Sequence, residues 1–134
     1  MTLPENTHIL VVDDDDHERL LLKTLLLNMP ERYHVIAVSD GYEAIETIKH
    51  TTCALLLTDL HMPKMDGVTL TKCILEMCPH IIVIWLTAYG CHRYARAREQ
   101  LPVYGCLEKP VEIDTIRFAV KDALAGTASA DKGA

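Results

Sequence analysis

Apolar residues gather in five short runs, separated by longer stretches in which apolar and polar positions are interleaved. The runs are His8 to Val12, Tyr33 to Val38, Ala54 to Thr58, Ile81 to Leu86 and Val103 to Leu107. Near-continuous apolar character, rich in Val, Ile and Leu, predicts strands buried on both faces. Between the runs the apolar positions move to helical spacing. Leu21, Leu22, Leu25, Leu26 and Met29 recur over His17 to Met29, and Pro30 stops the pattern. Ala44, Ile45 and Ile48 line a short second helix after the turn Ser39-Asp40-Gly41, and Val68, Leu70, Ile74, Leu75 and Cys78 line a third that Pro79 ends. Cys91 to Gln100 is polar and basic, and predicts a weakly amphipathic fourth helix. Val111 to Leu124 predicts a fifth, with Ile113, Ile116, Val120, Ala123 and Leu124 at helical intervals.

Five strands alternating with five helices predict an α/β fold, a doubly wound five-stranded parallel sheet covered on both faces by right-handed crossovers. With 134 residues, 49% of them hydrophobic, the chain has material for one core. The domain is placed over residues 1–125. From Gly126 the run of Gly, Thr, Ala and Ser predicts a flexible tail or the start of a linker over residues 126–134. Met1 close to the first strand points to an amino-terminal position, in a stand-alone protein or ahead of further domains.

Charge and cysteines narrow the class. A net charge of -6 with no block of Lys or Arg argues against direct nucleic-acid binding. No apolar run approaches the roughly 18 residues of a membrane span, and the first eight residues lack a signal-peptide pattern, so a cytoplasmic protein without membrane contact is expected. Cys53, Cys73, Cys78, Cys91 and Cys106 form an odd set with no C-x-x-C pair, which predicts free thiols acting as small apolar core residues rather than a disulfide framework.

Chemistry collects at the strand ends. In an open parallel sheet, ligands bind in the crevice outside the carboxyl ends of the strands. The first strand ends on Asp13-Asp14-Asp15-Asp16, the third on Asp59, the fourth on Thr87 and the fifth on Glu108-Lys109-Pro110. Asp15 and Glu18 have the spacing of a capping box, which leaves Asp13 and Asp14 free to bind. Asp66 reads as a helix cap. Asp13, Asp14 and Asp59 against the single ammonium of Lys109 leave a deficit of two positive charges. A divalent cation closes it, and an all-oxygen donor set favours magnesium, or manganese, over zinc. An exposed aspartate beside such a cation and a lysine can attack a phosphoryl group and carry it as an aspartyl-phosphate, with no dedicated general base. Asp59 is the nucleophile of choice, and the Thr87 hydroxyl can donate to a phosphoryl oxygen.

The motifs Ile9-Leu10-Val11-Val12-Asp13-Asp14, Asp59-Leu60-His61-Met62-Pro63-Lys64-Met65-Asp66-Gly67, Thr87-Ala88 and Lys109-Pro110 resemble the response regulator receiver domain from about His8 to Leu124. The resemblance implies a flavodoxin-like (βα)5 fold with strand order 2-1-3-4-5. It implies that Asp59 accepts a phosphoryl group from a sensor histidine kinase or phosphotransfer protein. Magnesium would be held directly by Asp14, Asp59 and the backbone carbonyl of His61, with Asp13 acting through water. Lys109 would pair with the phosphoryl group, and Lys109-Pro110 would be cis. Phosphorylation would draw Thr87 inward and repack the face formed by the fourth helix, fifth strand and fifth helix, where an output domain or partner binds. A homodimer is left open.

Two departures from the family stand out. Cys106 occupies the position three before the lysine that usually holds Tyr or Phe, so the usual aromatic switch is missing. Tyr104, about 7 Å away on the same strand face, is either a partial substitute or a packing residue. Leu101-Pro102 replaces a common Gly-Ala and puts the end of the fourth helix in question. His61 and Tyr89 lie two residues after Asp59 and Thr87. They either obstruct the water that hydrolyses the aspartyl-phosphate or point into solvent. Two other classes compete. An aspartate-nucleophile phosphohydrolase would carry a second acid where His61 stands, and a non-phosphorylated pseudo-receiver would not need the full set of Asp13, Asp14, Asp59, Thr87 and Lys109.

Overall fold

The apolar runs become parallel strands because each has a face to bury on both sides. The computed structural model describes residues 7–133, with side chains described for residues 7–125. The tail expected over residues 126–134 lies outside the described side chains. In chain order the elements are β1 (His8–Val12), α1 (Asp16–Leu27), β2 (His34–Val38), α2 (Gly41–His50), β3 (Leu55–Asp59), α3 (Gly67–Met77), β4 (Ile82–Thr87), a 3-10 turn (Cys91–Tyr94), α4 (Ala95–Gln100), β5 (Gly105–Glu108) and α5 (Ile113–Gly133). The strands form one parallel sheet in the order β2-β1-β3-β4-β5.

Alternate residues of the central strands feed two cores, as the period of two requires. Ile9 and Val11, Leu55 and Leu57, and Ile84 and Leu86 point to one side, where Leu22, Leu25 and Leu26 of α1 and Ile116 and Val120 of α5 cover them. Leu10 and Val12, Leu56, and Val83 and Trp85 point to the other, beneath Ala44 of α2 and Leu70 and Ile74 of α3. Each fully buried side chain of this size contributes roughly 1.5–3 kcal/mol of transfer free energy. Trp85, fully buried, also donates its indole N–H to the Thr71 hydroxyl at 2.9 Å, which in turn donates to the Gly67 carbonyl at 2.7 Å. The largest core residue is thereby hydrogen-bonded as well as packed.

Side-chain caps set the helix starts on the crevice edge. Asp15, Asp40 and Asp66 accept from the backbone N–H three residues on, at 2.9, 2.9 and 2.8 Å. Asp66 is thus the cap that was expected, which leaves the carboxylate of Asp59 for other work. Gly67 opens α3 where the chain doubles back on β3. A Cβ there would press on the Asp59 carbonyl oxygen and lie 2.8 Å from Leu60 Cα, so only glycine fits.

The structure corrects several boundaries. The expected helix over Cys91 to Gln100 is split into a 3-10 turn and a six-residue α4, because neither Gly90 nor Tyr94 supplies a side-chain cap. Leu101 is already extended, and Pro102 has no N–H with which to continue the helix. β5 begins at Gly105 rather than Val103, so Tyr104 stands ahead of the strand. α5 runs past Leu124. Leu21 and Ile113, which fit the helical patterns, are half exposed. The free-thiol expectation fails at two positions: Cys91 and Cys106 are joined as a disulfide, while Cys53, Cys73 and Cys78 are free. Among the described residues no helix is long and apolar enough to cross a membrane.

Candidate functional site

Strand register brings the polar strand ends level. Val12 pairs with Thr58 and Asp59 with Leu86, so Asp13, Asp59 and Thr87 leave three adjacent strands at nearly the same height. β5 closes the row, with Thr87 opposite Glu108 and the Lys109 N–H donating to the Thr87 carbonyl at 2.8 Å. The Lys109-Pro110 peptide is cis, as expected.

Lys109 is the hub of the site. Its ammonium donates to Glu18 Oε2 at 2.7 Å, to Asp59 Oδ2 at 3.1 Å and to Asp13 Oδ2 at 3.4 Å. Burial works to lower its pKa, but Glu18, Asp13 and Asp59 outweigh that and hold the ammonium well above its ordinary range. Asp13 is fully buried, and burial pushes its carboxyl up to about 6. The Asp15 N–H and Lys109 pull the other way, while the Asp59 and Glu18 charges add to the rise. Asp59 is 6% exposed, enough to be reached from the crevice. Its Oδ1 accepts from the His61 N–H at 3.4 Å.

Ligand atoms of Asp13, Asp14 and Asp59 lie within 4.8 Å of one another, with Asp14 exposed and the other two buried. A buried carboxylate that ionises with difficulty, facing two others, is an arrangement that a hard divalent cation relieves. The all-oxygen donor set therefore fits magnesium on structural grounds. Thr87 is buried, and its hydroxyl accepts from the Tyr89 N–H at 3.0 Å. A hydroxyl that accepts still has its own proton to donate.

Sequence reasoning missed Glu18. The Asp15 half of the expected capping box forms, but the Glu18 carboxylate turns away from the cap to Lys109. The signal was present: one turn into α1, on the crevice edge, a long acidic side chain stands within reach of any cation at the end of β5. Arg19 was missed too; it donates to the Asp13 carbonyl at 2.9 Å and pairs with Asp16, tying down the acidic loop.

His61 and Tyr89 are both exposed, and they also touch each other. Their rings meet edge to face at 4.8 Å, joining the loop after β3 to the loop after β4, and the Arg93 guanidinium lies 5.6 Å over the Tyr89 ring. Tyr104 is exposed, and its hydroxyl donates to Asp122 of α5.

A family model described as the response regulator receiver domain matches residues 9–121. The chain is 38% identical over 124 residues to the Transcriptional regulatory protein GlrR of Escherichia coli (strain K12), which covers 92% of this chain and 27% of that protein. It is 33% identical over 116 residues to Sporulation initiation phosphotransferase F of Bacillus subtilis (strain 168), covering 87% of this chain and 92% of that one. Among solved structures, a response regulator receiver domain protein from Clostridium thermocellum superposes with a TM-score of 0.82 at 26% identity, over 91% of this chain and 97% of that chain. The chain spans about a quarter of the length of the first of these relatives. All four segments that build the crevice fall inside the matched residues, and the chain belongs to the response regulator receiver domain family.

Proposed function

We propose that this chain is the phosphoacceptor of a two-component system, taking a phosphoryl group onto Asp59 from a sensor histidine kinase or a phosphotransfer protein. The observation that carries the reading is the pair of carboxylates Asp13 and Asp59, both within 3.4 Å of the Lys109 ammonium, at the carboxyl ends of β1, β3 and β5. Asp13, Asp14, Asp59 and the backbone carbonyl of His61 would hold magnesium. When bound, it neutralises charge on the phosphoryl oxygens.

In the transfer, a carboxylate oxygen of Asp59 bonds to phosphorus. The phosphorus–nitrogen bond to the donor imidazole breaks, its electron pair stays on the ring nitrogen, and that nitrogen takes up a proton. No base is required, because the nucleophile is already ionised. Lys109 exchanges part of its carboxylate pairing for a phosphoryl oxygen as charge develops there. Thr87 turns its proton to a second phosphoryl oxygen and releases the Tyr89 N–H. That movement couples the chemistry to the segment after β4, and through it to the face of α4, β5 and α5, the surface for an output domain or partner. Cys106 supplies no aromatic ring, and Tyr104 is engaged by Asp122 on the outer side. Signalling is therefore assigned to Thr87 and its adjoining loop.

Reductive trapping tests the assignment. After incubation with magnesium and a small acyl-phosphate donor, borohydride cleaves an aspartyl-phosphate, and peptide mapping locates it. Modification at residue 59 supports the reading; modification elsewhere, or none, refutes it.

A further inference from the structure

The disulfide ties the segment that follows Thr87 to the strand that leads to Lys109. Cys91 opens the 3-10 turn four residues after Thr87, and Cys106 lies in β5 three residues before Lys109. Their Cα atoms are 5.9 Å apart, well inside the range that a disulfide spans. Both residues are half-buried, so a small thiol or disulfide reagent can reach them. Cys53, by contrast, is buried, and burial with the neighbouring Cys78 pushes its thiol up to about 11, which makes it a poor nucleophile.

The span between Thr87 and Cys91 is anchored at both ends. At Thr87 the anchor is the ladder to β5 and the Lys109 N–H. At Cys91 it is the sulfur bridge, together with the Cys91 N–H donating to Glu108 Oε1 at 3.2 Å. Between them stand Ala88, Tyr89 and Gly90. Tyr89 holds the Thr87 hydroxyl, and Gly90, at φ 88°, has the backbone freedom to act as a pivot. With the bridge closed, the pivot cannot carry Cys91 away from β5. With it open, the direct tie of Cys91 to β5 is the exposed hydrogen bond to Glu108.

We propose that Cys91 and Cys106 are a reversible redox modification site whose oxidised form holds residues 88–91 against β5 and opposes the Thr87 movement that accompanies phosphorylation of Asp59. This rests on the phosphoacceptor reading. The oxidant is a low-molecular-weight disulfide. One cysteine thiolate attacks it, expels one small thiol and forms a mixed disulfide; the second cysteine attacks the first cysteine's sulfur in that mixed disulfide, closes the Cys91–Cys106 bond and expels the other small thiol. Two electrons pass from the pair to the reagent, and the two cysteine protons leave with the two released thiols. Reduction reverses each step. By reciprocity, a phosphorylated Asp59 favours the reduced pair.

The test compares the chain oxidised with glutathione disulfide with the same chain reduced by a dithiol, each state checked by intact mass and by free-thiol count. The initial rate of labelling by magnesium and a small acyl phosphate is then measured, with the emission of the single Trp85, whose register partner is Cys106, as a second readout. The oxidised chain is expected to label on the order of tenfold more slowly, within the range of ordinary allosteric coupling, and to recover on reduction. Its Trp85 emission is expected not to respond to labelling, while that of the reduced chain does. Cys91→Ser with Cys106→Ser is expected to label like the reduced chain whatever the oxidant. Equal rates in the two forms, or mixed disulfides on Cys73 and Cys78 without the internal bond, overturn the switch alone. If neither form is labelled while both stay folded, the phosphoacceptor reading falls and the switch with it.

Discussion

Glu18 Oε2 lies 2.7 Å from the Lys109 ammonium, nearer than either Asp59 at 3.1 Å or Asp13 at 3.4 Å. On the phosphoacceptor reading, a half-exposed acid on α1 thus competes with the incoming phosphoryl group for the Lys109 ammonium. To reach a phosphoryl oxygen, Lys109 must loosen this pair. Glu18→Gln is therefore expected to speed labelling of Asp59. A partly exposed ion pair is worth about 0.2–1 kcal/mol, which corresponds to an increase of up to roughly fivefold. Initial rates with a small acyl-phosphate donor check it, and an unchanged or slower rate contradicts the competition.

Asp13 gives the fold a pH dependence. Its carboxyl titrates at about 6 in the folded chain against an ordinary value of 3.8. The folded state therefore binds this proton more tightly than the unfolded one. Stability falls as pH rises from about 4 to about 6, and the penalty is complete above that. Asp13→Asn lacks the titration. In metal-free buffer its stability relative to the native chain is expected to grow across that window, reaching roughly 2–3 kcal/mol at neutral pH. Magnesium is expected to stabilise the native chain at neutral pH, less so near pH 5, and the variant hardly at all. Denaturant unfolding at several pH values checks this; a difference that does not vary with pH contradicts it.

The tight approach at Gly67 supplies a structural prediction. Gly67→Ala places a methyl against the Asp59 carbonyl and Leu60, so either α3 or the end of β3 must move. Overpacking of this kind costs roughly 1–3 kcal/mol. The variant is expected to unfold at lower denaturant and to label more slowly, because the displaced backbone carries Asp59, the proposed nucleophile. Native labelling in a destabilised variant would place the shift in α3 instead.

On the phosphoacceptor reading, the His61–Tyr89 ring pair, which links the loop after β3 to the loop after β4, is proposed to obstruct the water that would attack an aspartyl-phosphate. Tyr89→Ala is expected to shorten the phosphorylated lifetime several-fold, and His61→Ala to do so by opening the same gap from the other loop. Loss of the adduct after removal of the donor, followed by mass, reads this directly. An unchanged lifetime in both variants makes the pair a packing contact only.

Much of this was legible in the chain because buried parallel strands announce themselves as apolar runs, and the ends of the first, third, fourth and fifth runs open on one crevice. Asp13, Asp59 and Thr87 directly follow their runs, and Lys109 stands one residue further on. The misses share one cause, which is that partners distant in sequence decide between local options. Glu18 had a local reading as a cap, and only the approach of Lys109, 91 residues away, diverts it. Cys91 and Cys106 are 15 apart with no motif spacing, and it is the pairing of β5 on β4 that brings them together. The fourth helix lacked caps and a strong apolar face, so its bounds were set by Gly90 and Pro102 rather than by periodicity.

The most direct test of the central claim is intact mass after incubation with magnesium and a small acyl-phosphate donor, run beside Asp59→Asn and a metal-free control. A single phosphoryl adduct that requires both magnesium and Asp59 is the expected result. An adduct that survives in Asp59→Asn, or none from either the small donor or phosphorylated phosphotransfer proteins, would contradict it.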